Sequence, residues 1–187
     1  MTERPEPSTE ERLCRIDALD LEPVVYLLTH PEPAEMALSL AEADQAVTLY
    51  RCFLKLCVLH PGARIVPTRQ LDRVWHAHVL DTAKYRADCD HVFGHFMDHF
   101  PYAGLRGEDD QRAWRDDFAR TRRLFAEHFG AEAGAEAGAE TGAQPAPGAC
   151  RNHGDGSDCC TGCVKVPAAG GRPRPERGPA AGRLRET

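Results

Sequence analysis

No stretch of this 187-residue chain approaches the roughly 20 consecutive apolar residues that a membrane helix needs, so no membrane partner is expected. Strand signals are nearly absent; the Ile65-Val66 pair is too short to count. There is no excess of positive charge. The formal balance of -6 argues against a nucleic-acid binder, because neutralising phosphates requires a basic face. The N-terminus, MTERPEPSTEER, has no apolar segment of the kind that directs secretion. With no such segment, the eight cysteines point to thiols or metal ligands in the cytoplasm rather than to a disulfide framework. Nor is there a phosphate loop, a cofactor fingerprint or a nucleophile–base pairing.

What remains is helical. Residues 1–11 are polar and read as a disordered N-terminus, and residues 12–130 carry the apolar periodicity of one foldable unit. Leu13, Ile16, Leu19, Val24, Leu27 and Leu28 suggest a first helix, bent or restarted near Pro23. Ser39 and Glu42 form a capping-box signature ahead of the clearest helix, whose apolar positions include Ala43, Ala46, Val47, Tyr50, Phe53, Leu54 and Cys57. Thr68 can cap a helix through Leu80, and Asp81 or Thr82 the next, through Phe93, where Gly94 interrupts. A further turn is expected over residues 95–99. Glu108, Asp109 and Asp110 then favour the start of a last helix that Gly130 ends. The expected architecture is all-α, a compact bundle of about five helices followed by a disordered tail.

Beyond Gly130 the composition changes. Residues 131–149 form an Ala/Glu/Gly linker, 150–166 a Cys/His-rich segment, and 167–187 a disordered Arg/Pro-rich tail whose small positive excess names no partner. The Cys/His-rich segment offers Cys150 and His153, then Cys159, Cys160 and Cys163. These are thiolate and imidazole ligands suited to Zn²⁺ or Cu(I), at a spacing shorter than in common zinc fingers. The alternatives are a flexible tail without a fixed ligand, a contact for another protein, or a substrate for a modifying enzyme.

Residues 67–102, PTRQLDRVWHAHVLDTAKYRADCDHVFGHFMDHFPY, organise the rest and hold five of the nine histidines. At about 100° per residue, Leu71, Val74, Trp75, His78 and Val79 share one side of their helix, which turns His78 inward. Asp72 and His76 stand four apart on a neighbouring edge, the spacing for two ligands or for a carboxylate–imidazole hydrogen bond. On the next helix Tyr85, Cys89, Val92 and Phe93 define the apolar face, so Cys89 also points inward. His91, His95 and His99 recur every four residues, although Gly94 breaks the stripe. A zinc site can draw on one or both of His76 and His78, with Asp72, Cys89 and His99 completing it. The alternative is a hydrogen-bonded core histidine, a buried cysteine acting as a small hydrophobe, and a helix-surface ion pair.

The run Asp72-x-x-Trp75-His76-x-His78-x-Leu80-Asp81-Thr82-x-x-Tyr85-x-x-Asp88-Cys89, with Phe93-Gly94 and His99-x-Pro101-Tyr102 after it, resembles the glycine-rich domain-containing protein-like family. The resemblance spans about 19–130. It implies a helical domain with Asp72, Trp75, His76, His78, Tyr85, Cys89 and His99 at signature positions, and no agreed activity. The glycine-rich region of the plant members is not convincingly present. The leading expectation is a cytoplasmic metal-binding protein, zinc by ligand type, acting as an accessory or interaction module. Two others stand beside it. One is a metalloenzyme in which His76, His78 and His99 hold the ion and Asp72 or Tyr85 assists. The other is a helical adaptor, its histidines structural and its Cys-rich tail a substrate for modification.

Overall fold

A computed structural model describes residues 6–31, 34–131, 133, 149–151 and 173–177. Among them the fold is all-α: α1 (Thr9–Asp17), α2 (Glu22–Thr29), α3 (Leu40–Leu59), α4 (Arg69–Leu80), α5 (Thr82–Phe93) and α6 (Glu108–Phe129). A 3₁₀ turn (Ala34–Met36) joins α2 to α3.

The first expected helix is two helices. Ser8 starts α1 three residues earlier than the apolar pattern suggested. Its hydroxyl accepts from the Glu11 amide at 3.2 Å, while the Glu11 carboxylate accepts from the Ser8 amide at 2.7 Å. The chain then leaves the helix and restarts at Glu22, with Pro23 in the first turn, where its missing N–H costs nothing. Arg51 of α3 bridges the break, donating to the carbonyls of Ile16 and, at 2.8 Å, of Leu19.

The central element is α3, which contacts α1, α2, α4 and α6. The Ser39/Glu42 capping box starts it, and Ala43, Ala46, Tyr50, Phe53, Leu56 and Cys57 are buried along its length. Thr68 and Asp81 cap α4 and α5 through their side chains, each accepting the amide three residues on. Gly94, at φ +77°, takes the left-handed turn that stops α5. Two arginines of α1 hold that end: Arg12 donates to the Phe93 carbonyl at 2.9 Å and Arg15 to that of His91 at 2.7 Å.

The further turn expected at 95–99 is not helical. Met97 is fully buried, and residues 98–100 extend as β1 (Asp98–Phe100), antiparallel to β2 (Ala149–Arg151), with His99 opposite Cys150. This two-stranded ribbon is the small exception to the helical architecture. Beyond it, Gly104 at φ +81° lies so close to Trp114 that a Cβ would sit 3.0 Å from the indole, and Asp110 ties that loop to the start of α6. Among the described residues no helix is long and apolar enough to cross a membrane.

Candidate metal centre

Three of the expected ligands converge. Asp72 and His76 project one turn apart from α4, and β1 carries His99 back across them. The Asp72 carboxylate is buried, 7% exposed, and its Oδ1 lies 2.9 Å from His99 Nε2. Its Oδ2 lies 3.6 Å from His76 Nε2, and the two Nε2 atoms are 3.1 Å apart. One ligand atom from each residue falls within 4.8 Å of the others. Trp75 backs the group, its ring centred 4.4 Å from that of His99. His99 is therefore fixed on one side by indole and on another by carboxylate, while the His76 side chain is 54% exposed.

These separations suit a metal. Ligand bonds of about 2.0–2.1 Å in tetrahedral geometry put neighbouring ligand atoms about 3.3 Å apart. Two imidazole nitrogens facing each other beside a carboxylate also need a shared cation or a shared proton, since two N–H groups cannot point at one another. Three ligands and a half-exposed edge leave room for a fourth from outside.

His78 stands elsewhere. It is 2% exposed, with Nε2 2.9 Å from Asp88 Oδ2 and Nδ1 3.1 Å from the Tyr50 hydroxyl. The carboxylate can only accept, so Nε2 carries a proton toward Asp88, and Nδ1 is paired with the Tyr50 hydroxyl. Lys84 donates to the same Asp88 oxygen at 2.7 Å. Burial works to raise the Asp88 carboxyl, but hydrogen bonds from His78 and Lys84, and their charge, outweigh it and hold the group below its ordinary value. Both nitrogens of His78 are thus committed inside the core.

Cys89 is also inward and also apart. Burial pushes its thiol up to about 11, against weaker opposing hydrogen bonds from Met97 and Tyr85. Tyr85 accepts from the Trp75 indole at 2.9 Å and donates to the Met97 carbonyl at 2.6 Å, so it braces the segment leading to His99. His91 is exposed and His95 packs against Phe93; of the four-spaced stripe, only His99 joins the cluster. Of the tail residues, Cys150 has its backbone on β2, and His153, Cys159, Cys160 and Cys163 lie outside the described residues.

The residues that sequence reasoning did not assign a site role are those that hold His78: Tyr50, Lys84 and Asp88. The four-residue spacing of Lys84 and Asp88 was a signal for their pairing, but nothing local pointed to α4.

The model of the UCP032817-like family matches residues 6–124. The chain belongs to that family. The matched span runs from the cap of α1 into α6 and takes in both histidine arrangements of this UCP032817-like chain. It corrects the resemblance to the glycine-rich domain-containing protein-like family drawn over about 19–130, because the family model that matches is a different one. No curated protein and no solved structure matches.

Proposed function

We propose that this protein binds one divalent transition metal ion, zinc by ligand type, through Asp72, His76 and His99. The observation that carries the reading is the pair of Nε2 atoms 3.1 Å apart on one buried carboxylate. Two imidazoles and a carboxylate suit zinc, and the same donor set also holds Fe(II), so elemental analysis decides between them. Cys150 faces His99 in the strand register, which makes it the tail residue to test first as a fourth ligand. We read the protein as a cytoplasmic accessory or interaction module whose partner contact is the Cys-rich tail.

A second reading follows from the exposed His76 edge. Were Asp72, His76 and His99 to hold zinc with that edge open, the ion would supply Lewis-acid chemistry to a small ligand reaching it from solvent.

Elemental analysis and zinc calorimetry on the full chain test both readings. About one equivalent is expected to remain after the five tail ligands are replaced, and to be lost in His76→Ala and His99→Ala. Retention of the full zinc content in those two variants would overturn the assignment. A thiolate-to-cobalt charge-transfer band that vanishes in Cys150→Ser would place the fourth ligand in the tail. Its absence would leave that position to water.

A further inference from the structure

The described tail segment 173–177 carries two arginines that the metal centre does not use, and both are paired with carboxylates near the starts of α2 and α3. Arg174 grips Asp20 with two parallel hydrogen bonds, Nη1 to Oδ1 at 3.1 Å and Nη2 to Oδ2. Arg177 serves two carboxylates at once. Its Nε and Nη2 reach Glu22 at 3.0 and 2.9 Å, and its Nη1 and Nη2 reach Asp44 at 2.9 and 2.7 Å. This fork-to-fork geometry is one that a guanidinium makes and an ammonium does not. Arg177 also lines a cleft of about 290 Å³ whose floor includes Leu21, Val25 and Val47. Pro173 and Pro175 flank Arg174. Their fixed φ restricts the free segment and lowers the entropy lost on docking.

We propose that Asp20, Glu22 and Asp44 form a docking site for an Arg-x-x-Arg segment, and that the chain's own Arg174-Pro175-Glu176-Arg177 fills it as a reversible, charge-dependent latch. The contact joins residues more than 130 positions apart. Together with the β1–β2 pairing it fixes both ends of the span 152–172, which contains His153, Cys159, Cys160 and Cys163. Each pair is half exposed, with arginine side chains at 43–53% exposure, so each bond is individually weak and screened by salt. Covalent connection compensates, because a tethered segment competes at the high effective concentration of an intramolecular partner. The inference is independent of the metal reading, since none of its residues lies in the Asp72/His76/His99 cluster.

The test uses the full chain and a fluorescent synthetic peptide of residues 171–178. The peptide should bind the Arg174→Ala/Arg177→Ala variant, whose site is vacated by changes at two exposed positions, at least about tenfold more tightly than wild type, where the cis segment competes. Raising salt to about 1 M, where the Debye length falls to about 3 Å, should abolish the difference. Glu22→Lys/Asp44→Lys should not bind the peptide, whereas a peptide carrying Arg177→Glu should bind that charge-reversed pair. Equal peptide binding by wild type and the arginine-less variant, or binding by neither, would overturn the latch. So would a wild-type dimer that the arginine changes convert to monomer, because the occupant would then be the tail of a second copy.

Discussion

His76 and His78 stand two residues apart on α4 and live in opposite worlds. His78 is 2% exposed and spends both ring nitrogens on protein partners, Tyr50 and Asp88. His76 is 54% exposed, and its Nε2 faces another imidazole nitrogen and a shared carboxylate. A two-residue step turns a helix by about 200°, which separates the two rings by more than half a turn. The sequence motif Trp-His-x-His is thus not one site. Its first histidine faces outward to a ligand cluster, and its second completes the interior. Imidazole chemistry follows from what already occupies the nitrogens: His78 has both on buried protein partners, whereas the Nε2 atoms of His76 and His99 face each other beside one carboxylate, where a cation can replace a shared proton.

Substitution should break that comparison most sharply at His78. His78→Ala removes a fully buried ring and the hydrogen bond it shares with Tyr50, while Lys84 still pairs with Asp88. A loss of about 2–4 kcal/mol in urea denaturation is expected, equal with and without zinc. A zinc-dependent loss would place His78 in the metal site and erase the distinction. Next in size is the zinc effect itself. At a free concentration near 100 times the dissociation constant, binding to the folded state adds about 2.7 kcal/mol to wild type, and His76→Ala should lack that increment. Without metal, the same His76 variant should lie within about 0.5 kcal/mol of wild type, since its side chain is mostly exposed. Trp75→Phe sharpens the comparison from the other side. It keeps an aromatic face for His99 but drops the N–H that binds Tyr85, so zinc affinity measured by calorimetry should fall on the order of tenfold with the ligands unchanged.

These contrasts also mark where sequence is informative. Local chemistry announced the helix ends: Ser39 with Glu42, Thr68, Asp81, Gly94 and Gly130 act on residues within one turn of themselves, and all five stand where the structure starts or stops a helix. Periodicity announced His78 and Cys89 as inward. It did not separate inward from convergent, because convergence depends on which second element crosses α4. The crossing of His99 rests on β1, whose partner strand lies about fifty residues downstream, so the pattern of four-spaced histidines suggested a helical turn instead. The same limit hid the tail latch. Arg174 and Arg177 sit in a segment whose composition reads as structureless, and their carboxylate partners belong to the first 44 residues. Long-range pairing of charges has no local signature.

A third pair of histidines gives the smallest predicted effect and separates proximity from chemistry. His60, at the end of α3, places its Nε2 3.0 Å from that of His128 in α6, as close as the nitrogens of the metal centre. Here burial comes first among the influences that lower the His60 value; the charges of His128 and Arg120 act the same way, and Glu127 only partly opposes them. A histidine depressed on folding takes up its proton more readily in the unfolded chain. Its contribution to stability is therefore intact above the ordinary value of 6.5 and declines as pH falls through that value toward the lower folded one. Denaturation midpoints between about pH 7.5 and 5.5 should show a shallow fall that His60→Gln flattens. Zinc should leave that slope untouched if the centre formed by Asp72, His76 and His99 takes the ion, because the carboxylate, rather than the closeness of two rings, is what distinguishes the two pairs.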